Sequence, residues 1–126
     1  MKVGDTTSVT RSFTEADLAS YVALGGAAAA GTVPEPLIGA LWSQLLGIRL
    51  PGLGTMYLKQ ETRQHKPVPI GATLTATVTV TELRPEKHLV DLETTCHDEA
   101  GTLVASGRAL VYVRDVEGPR DGRSIP

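Results

Sequence analysis

Few side chains in this sequence combine reactive chemistry with a position suited to catalysis. Glu35 stands between two prolines at the start of an apolar segment, where a carboxylate can act as an acid or a base. The alternative is an ordinary acidic residue in the first turn of a helix, stabilised by the helix dipole. His65 follows a predicted strand and is the other candidate acid or base. The alternative is an exposed polar residue, because the local sequence offers His65 no carboxylate partner.

Other reactive or charged side chains have simpler interpretations. Cys96 is the one cysteine, and a nucleophilic thiol needs a nearby base or cation to lower its pKa. His97 falls on the opposite face of the same predicted strand, so we expect Cys96 to pack in the core. Ser43 could contact a ligand or simply let a helix approach a sheet, and both alternatives stay open. Three cationic side chains could contact the phosphate groups of a ligand or could simply lie in solvent, and the sequence does not separate the two: Lys59, Arg63 and Lys66.

Composition and missing motifs exclude several classes of function. The 126 residues carry 12 Lys and Arg against 14 Asp and Glu, a net charge of −2, so we expect no nucleic-acid partner. No apolar run approaches the ~20 residues of a membrane span, and the first residues are too polar for a signal peptide, so we expect no membrane partner. A lone cysteine favours a reducing, cytoplasmic location. No zinc-ligand pattern or phosphate-binding glycine loop occurs, so we expect no metal and no cofactor.

The first part of the chain predicts a strand and a short helix. The strand covers residues 6–13, and Thr14 then caps a helix that ends by Leu24. Asp17 lies in the first turn of this helix, where the dipole favours a negative charge. Glycines and alanines follow, and we expect residues 27–31 to form a short connector.

The most apolar segment predicts a buried helix over residues 36–46. Pro36 suits the first helical position, and Gly47 suits the stop after the last turn. Two adjacent rows of large apolar side chains follow the helical period, and so wide a stripe indicates burial on most sides. The rows are Leu37, Leu41 and Leu45, and Ile38, Trp42 and Leu46. Trp42 is expected in the core or in a pocket wall, where its indole N–H needs a partner.

Four strands linked by hairpins are predicted after the buried helix, over residues 55–62, 73–81, 89–97 and 102–113. The strand at 73–81 is the clearest, because four apolar residues alternate with five threonines. One buried helix against a largely antiparallel sheet predicts a single α+β domain over residues 1–113, in the hot-dog arrangement. Its open edge strand favours dimerisation. Residues 114–126 have no apolar period and are expected to form a mobile tail.

Several segments resemble the MaoC-like dehydratases, specifically the (R)-specific enoyl-CoA hydratases. The most specific is Leu-Pro-Gly-Leu-Gly-Thr-Met-Tyr-Leu at residues 50–58, and segments 13–17, 45–47 and 67–74 also match. The resemblance implies a hot-dog fold, a homodimer and an acyl thioester substrate carried by CoA or acyl carrier protein. It also implies that a backbone N–H at the start of the buried helix holds the thioester oxygen, and that Ser43 lines the pocket.

The sequence departs from that family at the catalytic segment. In the family, an Asp and a His of a Gly-Asp-x-Asn-Pro-x-His motif activate water for addition to a trans-2-enoyl thioester. Here Ala27 stands where the Asp is expected, and no Asp or His occurs between Asp17 and His65. General acid–base catalysis contributes roughly 10²–10⁴-fold, so we expect hydration to be weak or absent.

Three functional hypotheses follow from the resemblance and the departure. The first is a non-catalytic or partner subunit that binds acyl thioesters, as a homodimer or as a heterodimer with a related hot-dog subunit. The second is a repurposed dehydratase, isomerase, cyclase or thioesterase with Glu35 or His65 as the acid or base. The third is a purely structural partner in a larger assembly. The candidate substrate-binding residues are Glu35, Leu37, Leu41, Trp42 and Ser43.

Overall fold

The computed structural model describes residues 1–27, 31–52 and 54–114, which form two α-helices and five strands. In chain order these are β1 (Thr6–Ser12), α1 (Glu15–Ala23), α2 (Glu35–Ile48), β2 (Thr55–Gln64), β3 (Thr73–Arg84), β4 (Leu89–His97) and β5 (Leu103–Val113). A single 3-10 turn, Pro85–Lys87, joins β3 to β4. Most of the connector predicted at 27–31, and all but the first residue of the predicted tail, lie outside the described residues.

The five strands make one antiparallel sheet in the order β1-β3-β4-β5-β2. The predicted hairpin between β2 and β3 is wrong, because β2 pairs with β5 at the opposite edge from β1. Between β2 and β3 the chain is instead held against residues 31–33, where the Val33 N–H donates to the Val68 carbonyl at 2.8 Å. The hairpin between β4 and β5 forms as predicted, with the Asp98 N–H donating to the Thr102 carbonyl at 3.0 Å.

Helix α2 packs on the face of the sheet that carries the buried apolar side chains, here called the inner face. The alternation predicted for β3 is confirmed: its inner-face residues are buried, whereas its threonines lie on the other face. Four hydroxyl pairs join β1 to β3 at distances of 2.8–3.2 Å. The inner-face residues of β3 are Leu74, Ala76, Val78 and Val80. The prediction of an α+β domain is therefore confirmed.

The two helices differ in how well their ends were predicted. Thr14 and Asp17 form a capping box at the start of α1, each side chain accepting from the other residue's backbone N–H. Helix α2, in contrast, does not stop at Gly47 but continues to Ile48. A glycine stop needs a positive φ, which Gly52 has at 95° and Gly47 lacks. The helix ends instead just before Leu50, whose helical conformation the following proline disfavours.

Candidate functional site

The start of α2 forms one wall of a groove of about 450 Å³, here called the Glu35 groove. Glu35 and Pro36 come from the first turn of α2, whereas His65 and Lys66 come from the chain just after β2. The other lining residues are Ala27, Thr32, Val33, Pro34, Gln64 and Pro67. The structure therefore brings the two candidate catalytic residues, Glu35 and His65, to one groove.

Local pairing explains why these two segments meet. The backbone N–H of Val33 donates to Val68, and that of Ile70 donates to Gly31, both at 2.8 Å. Val33 and Val68 are 2% and 1% exposed, so the two strips of chain also share the core. Pro34 follows in an extended conformation and α2 begins at the next residue. The start of α2 is thus fixed against the segment that follows His65.

The N-terminus of α2 offers a backbone donor to the groove. No side chain caps this end of the helix. Pro36 has no N–H, and the Leu37 N–H donates to the Pro34 carbonyl at 3.0 Å. Among the described residues, the Glu35 N–H has no partner, and the helix dipole adds partial positive charge at the same place. A carbonyl oxygen that develops negative charge is the group this arrangement suits.

His65 is exposed at the groove wall and has a partner that the local sequence does not indicate. Its ring Nε2 lies 2.7 Å from the Ser106 hydroxyl, and its backbone N–H donates to the Val104 carbonyl at 2.8 Å. The pairing of β2 with β5 places Gln64 opposite Ala105, which brings Ser106 beside His65. The side chain of Glu35 is also exposed. Either group is accessible to a ligand in the groove.

The remaining candidate binding residues do not gather around Glu35. Leu37 and Leu41 line a second groove of about 280 Å³, between α1 and α2, together with Phe13 and Tyr21. The side chain of Trp42 is fully buried, and its Nε1 donates to the Thr95 carbonyl at 2.8 Å. Of the two places expected for Trp42, the structure therefore selects the core. Ser43 is exposed, two turns along α2 from Glu35.

Other reactive or charged groups have structural explanations. Cys96 is buried in the core as predicted, and burial, followed by the charge of Asp98, raises the pKa of its thiol to about 11. Lys59 and Lys66 pair with Glu61 and Asp98, each at 3.0 Å. Within residues 1–27, 31–52 and 54–114, no group of three or more His, Cys, Asp or Glu side chains could hold a metal ion. In the same residues, neither helix is long and apolar enough to span a membrane.

Comparisons with known proteins agree on one family, although no family model matches the chain. A protein of Aeromonas caviae named (R)-specific enoyl-CoA hydratase is 34% identical over 126 residues, covering 88% of this chain and 94% of the relative. A protein of the same name from Rhodospirillum rubrum is 52% identical over 71 residues, covering 56% of this chain. That match spans 49% of the relative, so the chain covers about half of its length.

Comparison with a solved structure identifies the fold. The R-hydratase PhaJ1 from Pseudomonas aeruginosa superposes with a TM-score of 0.83 and 31% identity, covering 91% of this chain and 83% of that one. The fold is therefore the hot-dog fold, as predicted. The chain belongs to the MaoC-like (R)-specific enoyl-CoA hydratase family. The roles of individual residues in its grooves stay predictions.

Proposed function

We propose that this chain binds an acyl thioester at the Glu35 groove without hydrating it efficiently, as a non-catalytic or partner subunit. The observation that supports the proposal is the sequence after Gly26, where Ala27 stands in the position expected for the Asp and the Asn-Pro-x-His part of the motif does not follow. Ala27 lines the groove, and residues 27–30 are all alanine, so this stretch offers no side chain that can take up or release a proton. The groove keeps a binding donor and lacks the family's means of activating water.

Binding at this groove relies on the N-terminus of α2. The thioester carbonyl oxygen accepts from the Glu35 N–H, which has no partner among the described residues, and gains from the helix dipole. The carbonyl is held and polarised there. Addition of water to the double bond further needs a base to take a proton from water and an acid to deliver one, worth roughly 10²–10⁴-fold in rate. In this proposal Glu35 and His65, the two candidate acids or bases among the described side chains of the groove, do not perform those two steps.

The edge of the sheet supports the partner role. In the sheet formed by the described residues, β2 is an edge strand, bonded to β5 on one side and open on the other. Met56 and Leu58 on this strand are 61% and 54% exposed, so two large apolar side chains lie along the open edge. An open edge with apolar side chains is a ready template for a further strand. A second hot-dog chain, identical or related, is the partner we propose for it.

A second candidate function rests on a separate observation. Glu35 and His65 line the same groove, and His65 is held by Ser106. Two accessible groups that transfer protons near a polarised carbonyl would suit a dehydratase, isomerase, cyclase or thioesterase acting on a different acyl thioester. In that case, turnover of such a substrate would fall in both Glu35→Gln and His65→Ala.

Calorimetric titration with butyryl-CoA, which has no double bond to hydrate, tests the binding half of the first proposal. We expect wild-type protein to bind, and Ala27→Phe to bind at least about tenfold more weakly because its ring fills the Glu35 groove. Ala100→Phe, in the exposed turn between β4 and β5, is the matched control and should bind like wild type. Absence of binding by the wild-type protein, or equal binding by all three proteins, would contradict the proposal.

A further inference from the structure

The inner face of β2 carries two polar side chains on a face of the sheet whose buried side chains are mostly apolar. The register with β5 places Tyr57 opposite Val111 and Gln60 opposite Ala109, both of which are buried in the core. A bulge between Tyr57 and Lys59 keeps both polar residues on this face. Polar groups in such a position cost free energy unless they are hydrogen-bonded. Their hydrogen-bond partners therefore determine which of their atoms stay available to a ligand.

The partners fix the direction of every hydrogen bond in this group. Gln60 Nε2 donates to the Glu61 carbonyl at 2.8 Å and to the Thr94 hydroxyl, which belongs to a fully buried residue, at 3.3 Å. A backbone carbonyl only accepts, so the amide nitrogen must face it and the amide oxygen must face the other way. That oxygen accepts from the Tyr57 hydroxyl at 3.2 Å. The phenol proton is therefore committed to Gln60, and the lone pairs of Tyr57 Oη are left to accept.

Two glycines shape the space around this phenol. At Gly107 a Cβ atom would lie 1.9 Å from the Glu61 carbonyl oxygen and 3.0 Å from Gln60 Nε2, so this close approach of β5 to β2 requires glycine. At Gly39 of α2 a Cβ atom would meet nothing within 4 Å. The open space beside Gly39 is a groove of about 340 Å³, here called the Tyr57 groove. Its other lining residues are Tyr57, Leu58, Lys59 and Gln60.

The phenol at this groove is a neutral group. The Tyr57 side chain is 40% exposed, and the partial burial of its phenol raises the pKa of Tyr57 to about 12, so the hydroxyl keeps its proton at neutral pH. A neutral oxygen whose own proton is already committed accepts one hydrogen bond from a ligand and attracts no cation in particular. The ligand group that fits it is an uncharged O–H or N–H donor.

The Tyr57 groove lies within reach of the thioester position. Glu35 and Gly39 are four residues apart on α2, so they lie on the same side of the helix about 6 Å apart along its axis. A ligand held at the Glu35 N–H can therefore extend along α2 and place a donor at Tyr57. We propose that Tyr57 Oη accepts a hydrogen bond from an O–H or N–H donor of the bound acyl thioester. This inference rests on the proposed thioester binding.

Two parts of such a ligand carry donors of this kind, and two ligands distinguish them. 3-Hydroxybutyryl-CoA has a hydroxyl on the acyl chain, whereas butyryl-CoA has donors only in the CoA portion, including the amides of its pantetheine arm. Tyr57→Phe removes one oxygen atom and keeps the ring, and Tyr112→Phe, on β5, is the matched control. We expect Tyr57→Phe to bind about 3- to 10-fold more weakly, the size of one neutral hydrogen bond.

The pattern of losses in calorimetric titrations identifies the donor. A loss for 3-hydroxybutyryl-CoA alone assigns the donor to the acyl hydroxyl, and an equal loss for both ligands assigns it to the CoA portion. If wild-type protein binds both ligands and Tyr57→Phe binds both equally well, the inference fails while the proposed function stands. If wild-type protein binds neither, the proposed function fails and the inference fails with it. Thermal unfolding of each variant shows that it is folded.

Discussion

The indole N–H of Trp42 donates to the backbone carbonyl of Thr95 at 2.8 Å, which ties the middle of α2 to β4. Trp42 is fully buried, so this bond is shielded from water. A directional bond in the core fixes the rotation of α2 as well as its distance from the sheet. The orientation of Glu35 and Gly39 relative to the sheet therefore depends on this contact.

Replacing Trp42 with phenylalanine should lower the free energy of unfolding by about 2–4 kcal/mol. The change leaves the Thr95 carbonyl without its partner and opens a cavity in the core. Urea denaturation followed by circular dichroism measures the effect, since Trp42 is the single tryptophan and the variant loses its fluorescence. Ser43→Ala, at the exposed neighbouring position, should stay within about 0.5 kcal/mol of wild type. Similar values for the two variants would show that the bond does not hold the helix.

Gly107 is predicted to tolerate no side chain. Alanine there would place Cβ at 1.9 Å from the backbone oxygen of Glu61, so the strands must separate, at a cost of about 1–3 kcal/mol or more. Gly47→Ala is the opposite case, because this helical position has open space around it. We expect Gly47→Ala to raise stability by up to about 1 kcal/mol. Urea denaturation that moves both variants in the same direction would contradict this.

Substitution of Gly39 tests ligand binding independently of protein stability. Like Gly47 it lies in α2 beside open space, so alanine at either position should stabilise the helix by up to about 1 kcal/mol. Only at Gly39 does the added methyl group enter the Tyr57 groove. We expect Gly39→Ala to weaken 3-hydroxybutyryl-CoA binding and Gly47→Ala to leave it unchanged, as measured by calorimetry. Equal affinities in the two variants would show that the ligand does not occupy that groove.

The capping box of α1 predicts a pH dependence. Hydrogen bonds from Thr14, first from its backbone N–H and then from its hydroxyl, lower the pKa of Asp17, and Arg11 adds to the effect. The folded-state pKa thus lies below the unfolded value of about 3.9. The stabilisation is complete above that value and is lost as the pH falls through the folded-state pKa.

Asp17→Asn should therefore make the fall in Tm between about pH 5 and about pH 2 shallower than in wild type. Glu15→Gln is the matched control, because Glu15 lies in the same first turn but outside the capping box. We expect its Tm to fall with pH as steeply as that of the wild-type protein. Thermal unfolding at a series of pH values measures all three, and a wild-type slope in Asp17→Asn would refute the assignment.

Local periodicity was enough to predict the elements that build the core. The apolar rows of α2 and the alternation in β3 each repeat over many residues, and both appear in the structure close to the expected bounds. The predicted end of α2 at Gly47 is wrong, because Gly47 adopts helical geometry and lacks the positive φ of a glycine stop. The predicted hairpin of β2 with β3 is wrong because strand pairing depends on distant segments, and here β2 pairs with β5, the last strand of the described residues.

The site was predictable only in part for the same reason. Glu35 stands out beside two prolines, and His65 stands out as a histidine at a strand end, but nothing local shows that they share a groove. The contact of Gln60 with Thr94 depends on a bulge in β2 and on the register of three strands. The Tyr57 groove therefore has no signal in the sequence, whereas the alanines at residues 27–30, on which the prediction of a missing catalytic segment rests, are visible in it directly.

Hydration of crotonyl-CoA by the purified chain tests the central claim most directly. Loss of the enoyl absorbance is followed beside the Aeromonas caviae hydratase, at a protein concentration where calorimetry shows the thioester bound. We predict that absorbance falls at least roughly 10²-fold more slowly than with that relative, because in the proposed function the chain lacks the Asp and His that activate water. A rate comparable to that of the relative, abolished by Glu35→Gln, would contradict the account and make Glu35 a catalytic residue.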